Sequence, residues 1–116
     1  MADPVLPVFV YGYLKRGGPG HHLVADHLAD VRSAVAHGRR VDTGADYPGI
    51  VFSAGGEDVA GELLYIRPAV FDEVMEALDA YEQTEAPDRY TRITTTVSCG
   101  GEPVEVYAYE FTGPTR

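Results

Sequence analysis

Two groups of residues in this chain have the types and spacing to do chemistry. The first centres on Glu82, at the end of the stretch "AVFDEVMEALDAYE". If Leu78 is set at the middle of an apolar helical face and each residue is advanced by about 100°, Phe71, Val74, Met75, Leu78 and Tyr81 fall in one arc. Asp72, Glu73, Glu76 and Asp79 fall outside it. Glu82 follows Leu78 by four residues, so a helix that persists this far puts a carboxylate on the apolar side. Lost hydration and the negative end of the helix dipole both raise the pKa of such a group. A glutamate tuned upward can accept and return a proton near neutral pH, which is the requirement for a general acid/base. The same residues allow a second outcome, in which the helix frays at Ala80 and Glu82 is a solvated end residue. Glu85 projects to the same side, but "EAPD" disfavours helix there.

The second group is "VFVYGYLKRGG", Val8 to Gly18, where an apolar run stops in a glycine turn and a cationic pair follows. Such a turn either reverses the chain or holds the negative end of a ligand. Other constellations carry less. Asp42-Thr43-Gly44-Ala45 copies the signature around the catalytic acid of an aspartic protease, but Arg39-Arg40-Val41 precede it where an apolar strand is required, and no later apolar-apolar-Gly strand feeds a helix. His21, His22, His27 and His37 form neither an i, i+4 pair nor a His-Glu-x-x-His motif, so no metal site is expected. Lys15-Arg16-Gly17-Gly18 lacks the order of a phosphate-binding P-loop.

These residues must be positioned by a chain of 116 residues, a length that makes one domain, 1–116, with a real core. Residues 5–11 read as a strand covered on both faces, ended by Gly12. Leu23, Val24, His27 and Leu28 have helical spacing, so a short helix is expected over about 21–30. Residues 31–42 read as a long, bent strand, and "YPGIVFS" and "DVAGELLYI" as two more. Pro68 stands where a first-turn proline belongs, ahead of the clearest helix in the chain. Two alternating segments, "YTRITTTVS" and "PVEVYAYEF", form an antiparallel pair joined through "CGGE". The expected fold is α+β: about six strands curled into a small mixed barrel with two flanking helices.

Charge narrows the partners. The formal net charge of −9 offers no positive field to a phosphate backbone, so nucleic acid is not an expected partner. No apolar run approaches a membrane span, and "MADPVLP" has no cationic region ahead of an apolar one, from which a cytoplasmic location is expected. Cys99 is the only cysteine, which excludes an internal disulfide and a thiolate metal cluster. Near the "CGG" turn it reads as a small structural residue.

Two separated segments agree with one family. Tyr11-Gly12-Tyr13-Leu14 followed by Lys15, and Leu78-Asp79-Ala80-Tyr81-Glu82, resemble the Tyr-Gly-x-Leu loop and the Leu-Asp-x-x-Glu segment of the gamma-glutamyl cyclotransferase-like family of small barrel proteins. His21-His22, Tyr47-Pro48-Gly49, Gly61-Glu62-Leu63 and Tyr90-x-Arg92 extend the agreement in the family's order, from Val8 to Phe111.

The resemblance implies an intramolecular reaction in which the α-amine of a gamma-glutamyl compound attacks its own γ-carbonyl, giving pyroglutamate and a free amine. Ring closure of this kind needs positioning and proton transfer and implies no metal or organic cofactor. By the same resemblance Glu82 is the acid/base, and the main-chain N–H groups of Gly12, Tyr13 and Leu14 form a nest for the substrate's α-carboxylate. Tyr11 stands either in the core or in the site. Tyr90 and Tyr107 either line the pocket or pack as strand residues. Arg92 either offsets acidic charge or is an exposed cation.

Two departures stand out: Tyr13, where the family more often has a small hydroxyl residue, and Gln83, where glycine commonly follows the glutamate. A module on the same fold that binds a small acid or a partner protein without turnover is the alternative.

Overall fold

The computed structural model describes residues 5–11, 24–41, 49–53, 55–85 and 90–111, apart from the side chains of residues 81–85 and 90. Its first strand, β1 (Val8–Val10), has both faces buried. A run of β-branched and aromatic residues without polar alternation requires this. β1 takes a partner on each edge. One is β4 (Glu57–Ile66), antiparallel, with Val8 opposite Leu64; the other is β6 (Glu102–Phe111), parallel, with Val8 opposite Tyr107. β2 (Leu28–Val41) runs antiparallel along β4, and β5 (Tyr90–Cys99) runs antiparallel along β6.

A bridge between Val35 and Ser98 joins β2 to β5 and closes the order β2-β4-β1-β6-β5 into a mixed barrel. From Gly38 onward the same edge of β2 is occupied instead by β3 (Gly49–Phe52), the sixth strand. The barrel is therefore closed at one end of β5 and parts toward the other. Gly100 and Gly101 connect β5 to β6 with φ of 60° and 86°. Both lie in the left-handed region that a tight two-residue hairpin turn demands, so the "CGGE" connection is as expected. Cys99 sits half-buried beside it, with Sγ 3.5 Å from the Ser33 carbonyl oxygen.

The strands enclose one core and share a second with a helix. Phe9, Ala34, Ala36, Leu63, Val97, Val106 and Ala108, drawn from strands alone, fill the lumen. Val8, Val10, Leu64, Tyr107 and Tyr109 face the other way and pack against α1 (Phe71–Glu85). The α+β class, the barrel and the six strands agree with the sequence expectation.

The helix expected over 21–30 is not formed within the described part of that segment. Residues 25–27 make one 3-10 turn, and Leu28 already begins β2. The apolar spacing misled because Val24 and Leu28 both reach the core, Val24 from a turn and Leu28 from a strand paired to Ile66. Among the described residues no helix is long and apolar enough to cross a membrane.

Gly61 marks the tightest approach in the barrel. A Cβ there would run into the Val10 carbonyl oxygen and lie 2.5 Å from Phe9 Cζ. The Phe9 ring fills the lumen only because β4 carries no side chain at this point. Gly61→Ala is expected to destabilise the fold by about 1–3 kcal/mol, through displacement of a ring and a main-chain carbonyl. The measurement is the urea midpoint, and an unchanged midpoint would show that the lumen is not packed as described.

Candidate active site

Helix α1 is launched by a proline-led 3-10 turn, Pro68–Val70, and the Phe71 N–H donates to the Pro68 carbonyl. Phe71, Val74, Met75 and Leu78 are buried and Asp72, Glu73 and Glu76 exposed, so the amphipathic face lies where its periodicity puts it. Each of those four buried side chains contributes about 1.5–3 kcal/mol of gross transfer free energy, and Asp72 and Glu73 favour the positive end of the helix. The helix neither frays at Ala80 nor stops before "EAPD"; it continues to Glu85. Pro87 restricts the residue immediately before it, Ala86, and leaves Glu85 free to remain helical. Glu82 thus occupies a helical position one turn beyond fully buried Leu78.

What fixes that part of the helix is a polar network on the turn before Glu82. The Tyr109 hydroxyl donates to Asp79 Oδ1 at 2.6 Å, and Arg92 Nη2 lies 3.4 Å from Asp79 Oδ2. Both carboxylate oxygens are therefore engaged by the barrel wall, one from β6 and one from β5. The Arg92 side chain is 24% exposed and Asp79 41% exposed, so the Coulombic part is partly screened. The short hydroxyl-to-carboxylate bond is of the stronger, charge-assisted kind. Arg92 also stands 5.0 Å over the ring of Tyr107, which lies 6.1 Å from that of Phe71. Of the two readings of Arg92, the exposed strand cation is excluded: it is a half-buried counter-ion to Asp79.

Tyr11 joins the end of β1 to the same network. Its hydroxyl donates to the Tyr109 carbonyl oxygen at 2.8 Å, and its ring lies 6.2 Å from those of Phe9 and Phe52. One chain of contacts thus runs from the strand end that precedes Gly12, through Tyr109, to the helix that carries Glu82. Tyr107 is buried against that helix. Tyr90 opens β5 opposite Phe111, with its side chain outside the described part.

Gly12, Tyr13 and Leu14 lie outside the described residues, as do His21, His22, Tyr47, Pro48 and the Asp42–Ala45 segment. His37 contacts Asp58 at 3.0 Å, and among the described residues no three His, Cys, Asp or Glu side chains gather as metal ligands. Sequence reasoning passed over Tyr109 and the partnership of Asp79. The signal was present: Tyr109 follows Tyr107 at the strand period of two, and Asp79 precedes Glu82 by one helical turn.

The family model described as gamma-glutamyl cyclotransferase, AIG2-like, matches residues 8–116. YkqA from Bacillus subtilis shares 21% identity at a TM-score of 0.70, covering 96% of this chain; the chain spans only 37% of that protein. An AIG2-like protein from Mus musculus shares 23% identity at a TM-score of 0.72, over 97% of this chain and 82% of that one. A protein from Arabidopsis thaliana is 32% identical at a TM-score of 0.68, over 96% of this chain and 65% of that one. No curated protein matches.

The Asp79 network yields a measurable coupling. Tyr109→Phe is expected to lower stability by about 1–2 kcal/mol, because it removes a charge-assisted bond and leaves one carboxylate oxygen to solvent. Asp79→Asn should cost a similar amount. The double variant should lose less than the sum by about 1 kcal/mol, as residues sharing one bond do; strictly additive denaturation midpoints would contradict the contact.

Proposed function

Since the chain belongs to the gamma-glutamyl cyclotransferase, AIG2-like family, we propose that it cyclises a gamma-glutamyl amine or amino acid and releases 5-oxoproline. The substrate's α-nitrogen attacks its own γ-carbonyl carbon, the ring C–N bond forms, and the bond from that carbon to the departing nitrogen breaks. Glu82 removes a proton from the α-ammonium to free the attacking amine and delivers it to the departing nitrogen; the second proton, shed by the ring nitrogen as it becomes an amide, follows the same route, so the amine departs as its ammonium and the carboxylate is regenerated in each turnover. The main-chain N–H groups of Gly12, Tyr13 and Leu14 hold the α-carboxylate, and Tyr11, Tyr90 and Tyr107 line the pocket. Because nucleophile and electrophile belong to one molecule, the protein's work is to hold the chain of the substrate folded and to move a proton.

The observation that carries this reading is the unbroken helix through Glu82, pinned one turn earlier by Asp79 to Tyr109 and Arg92. An acid/base must be held to within a fraction of an ångström, and this network restrains the backbone that bears it. Tyr11 supports it from the other side: by bonding to the Tyr109 carbonyl it ties the strand leading into the Gly12–Leu14 turn to the same β6 residue that holds the helix. The leaving group is left open by these residues. Tyr13, larger than the small hydroxyl residue usual in the family, narrows the pocket or changes the leaving group it accepts; the alternative is a binding module without turnover.

The test compares the protein with Glu82→Gln on a panel of gamma-glutamyl amines and amino acids, following 5-oxoproline release. The expected result is release by the parent and a fall in kcat of at least about a thousandfold in the variant, the combined loss of base and acid. Equal turnover by both would remove Glu82 from the mechanism. Binding of glutamate-like ligands without turnover in either would establish the alternative.

A further inference from the structure

The lumen has an opening that the cyclotransferase reading does not use. Where β3 takes over the edge of β2 from β5, no ladder joins β3 to β5 among the described residues. A cleft of about 490 Å³ lies in this gap, lined by His37, Phe52, Ser53, Ile93, Thr95, Thr96 and Glu110. That volume falls in the range of small-molecule sites.

Strand alternation separates the cleft from the helix side. Tyr107 and Tyr109 pack toward α1, whereas Val106 and Ala108 face the lumen, and Glu110 continues the lumen series. A carboxylate at the mouth of an otherwise apolar barrel is costly to desolvate. Among the described residues it is anchored through Oε2, which accepts the Phe52 N–H at 3.0 Å. Among the described residues no lysine or arginine belongs to the lining, and Nε2 of His37 lies 3.0 Å from Asp58 Oδ1. The described walls thus combine the carboxylate of Glu110, the hydroxyls of Ser53, Thr95 and Thr96, and the aromatic ring of Phe52, within a chain of net charge −9. These are the elements that receive an alkylammonium group: an anion for its charge, hydroxyl oxygens for its remaining N–H donors, and a ring for its methylenes.

We propose that this cleft is a binding site for a small molecule bearing a primary ammonium group, with Glu110 as its counter-ion. Phe52 in its wall packs on Tyr11, but the test does not use turnover, so failure of this proposal and failure of the cyclotransferase reading are distinguished. Calorimetry and backbone amide shifts of Phe52, Thr95 and Thr96 are followed on titration with n-butylammonium and 1,4-diaminobutane, with 1-butanol and butyrate as neutral and anionic controls.

Both amines should bind and shift those amides, and the controls should not. Glu110→Gln keeps an oxygen to accept the Phe52 N–H, so the fold stands while the charge is lost; it should weaken amine binding about tenfold or more. Glu76→Gln, on the exposed face of α1, removes the same charge from elsewhere and should leave binding unchanged. No amine binding by the parent, equal binding by Glu110→Gln, or equal weakening by both variants would overturn the proposal, the last by assigning the attraction to the acidic surface as a whole.

Discussion

The two-residue period of β6 is the constraint on which the rest of the molecule depends. One strand serves as barrel wall and as helix platform, so its residues must be sorted alternately between two cores. Val106 and Ala108 point into the lumen, and Tyr107 and Tyr109 point outward to α1. A slip of one residue would exchange these sets and put two tyrosine rings into a lumen already filled by Phe9 and Leu63. The register is held from both edges: by the parallel match of Val8 with Tyr107 and the Tyr107 N–H to Pro7 carbonyl bond of 3.0 Å, and by the antiparallel ladder to β5.

Burial and polarity divide the work along the helix. Its first two turns are held by side chains that lose water, from Phe71 to Leu78, and this attachment is strong but indifferent to small sliding motions. The Asp79 contacts contribute less free energy but are directional, since a hydroxyl and a guanidinium approach different oxygens of one carboxylate. Apolar packing thus attaches the helix, and the polar pair fixes its rotation and height one turn before Glu82. The same strand carries the Tyr11 contact through its main chain, so that the helix and the end of β1 are referred to a common element.

The parting of β5 from β2 follows from strand economy. β2 is fourteen residues long, and its edge cannot serve β5 and β3 at the same positions. It therefore bridges Ser98 from Val35 and pairs with β3 from Gly38 onward. A short barrel with one staggered closure must leave an opening beside the stagger. A hydrogen bond from the Phe52 main-chain N–H to the Glu110 carboxylate spans part of that opening.

Much of this was legible in the residues taken in order. Alternation in "YTRITTTVS" and "PVEVYAYEF", two adjacent glycines, and an apolar stripe after Pro68 determine the hairpin and the helix, because these depend on neighbours within a few positions. The Tyr-Gly-x-Leu and Leu-Asp-x-x-Glu segments likewise identified the family before any fold was known. The first helix was misread because Val24 and Leu28 satisfy helical spacing while a strand pairing with distant Ile66 wins the competition. Tyr109 with Asp79, Arg92 with Asp79, and Glu110 with Phe52 were not legible either. They are separated by 30, 13 and 58 positions in the chain, and periodicity carries no information about which distant faces meet. Sequence determined most of the elements and singled out Glu82 as the candidate acid; tertiary closure of the barrel decided which polar groups would be brought within bonding distance to hold the helix that carries it.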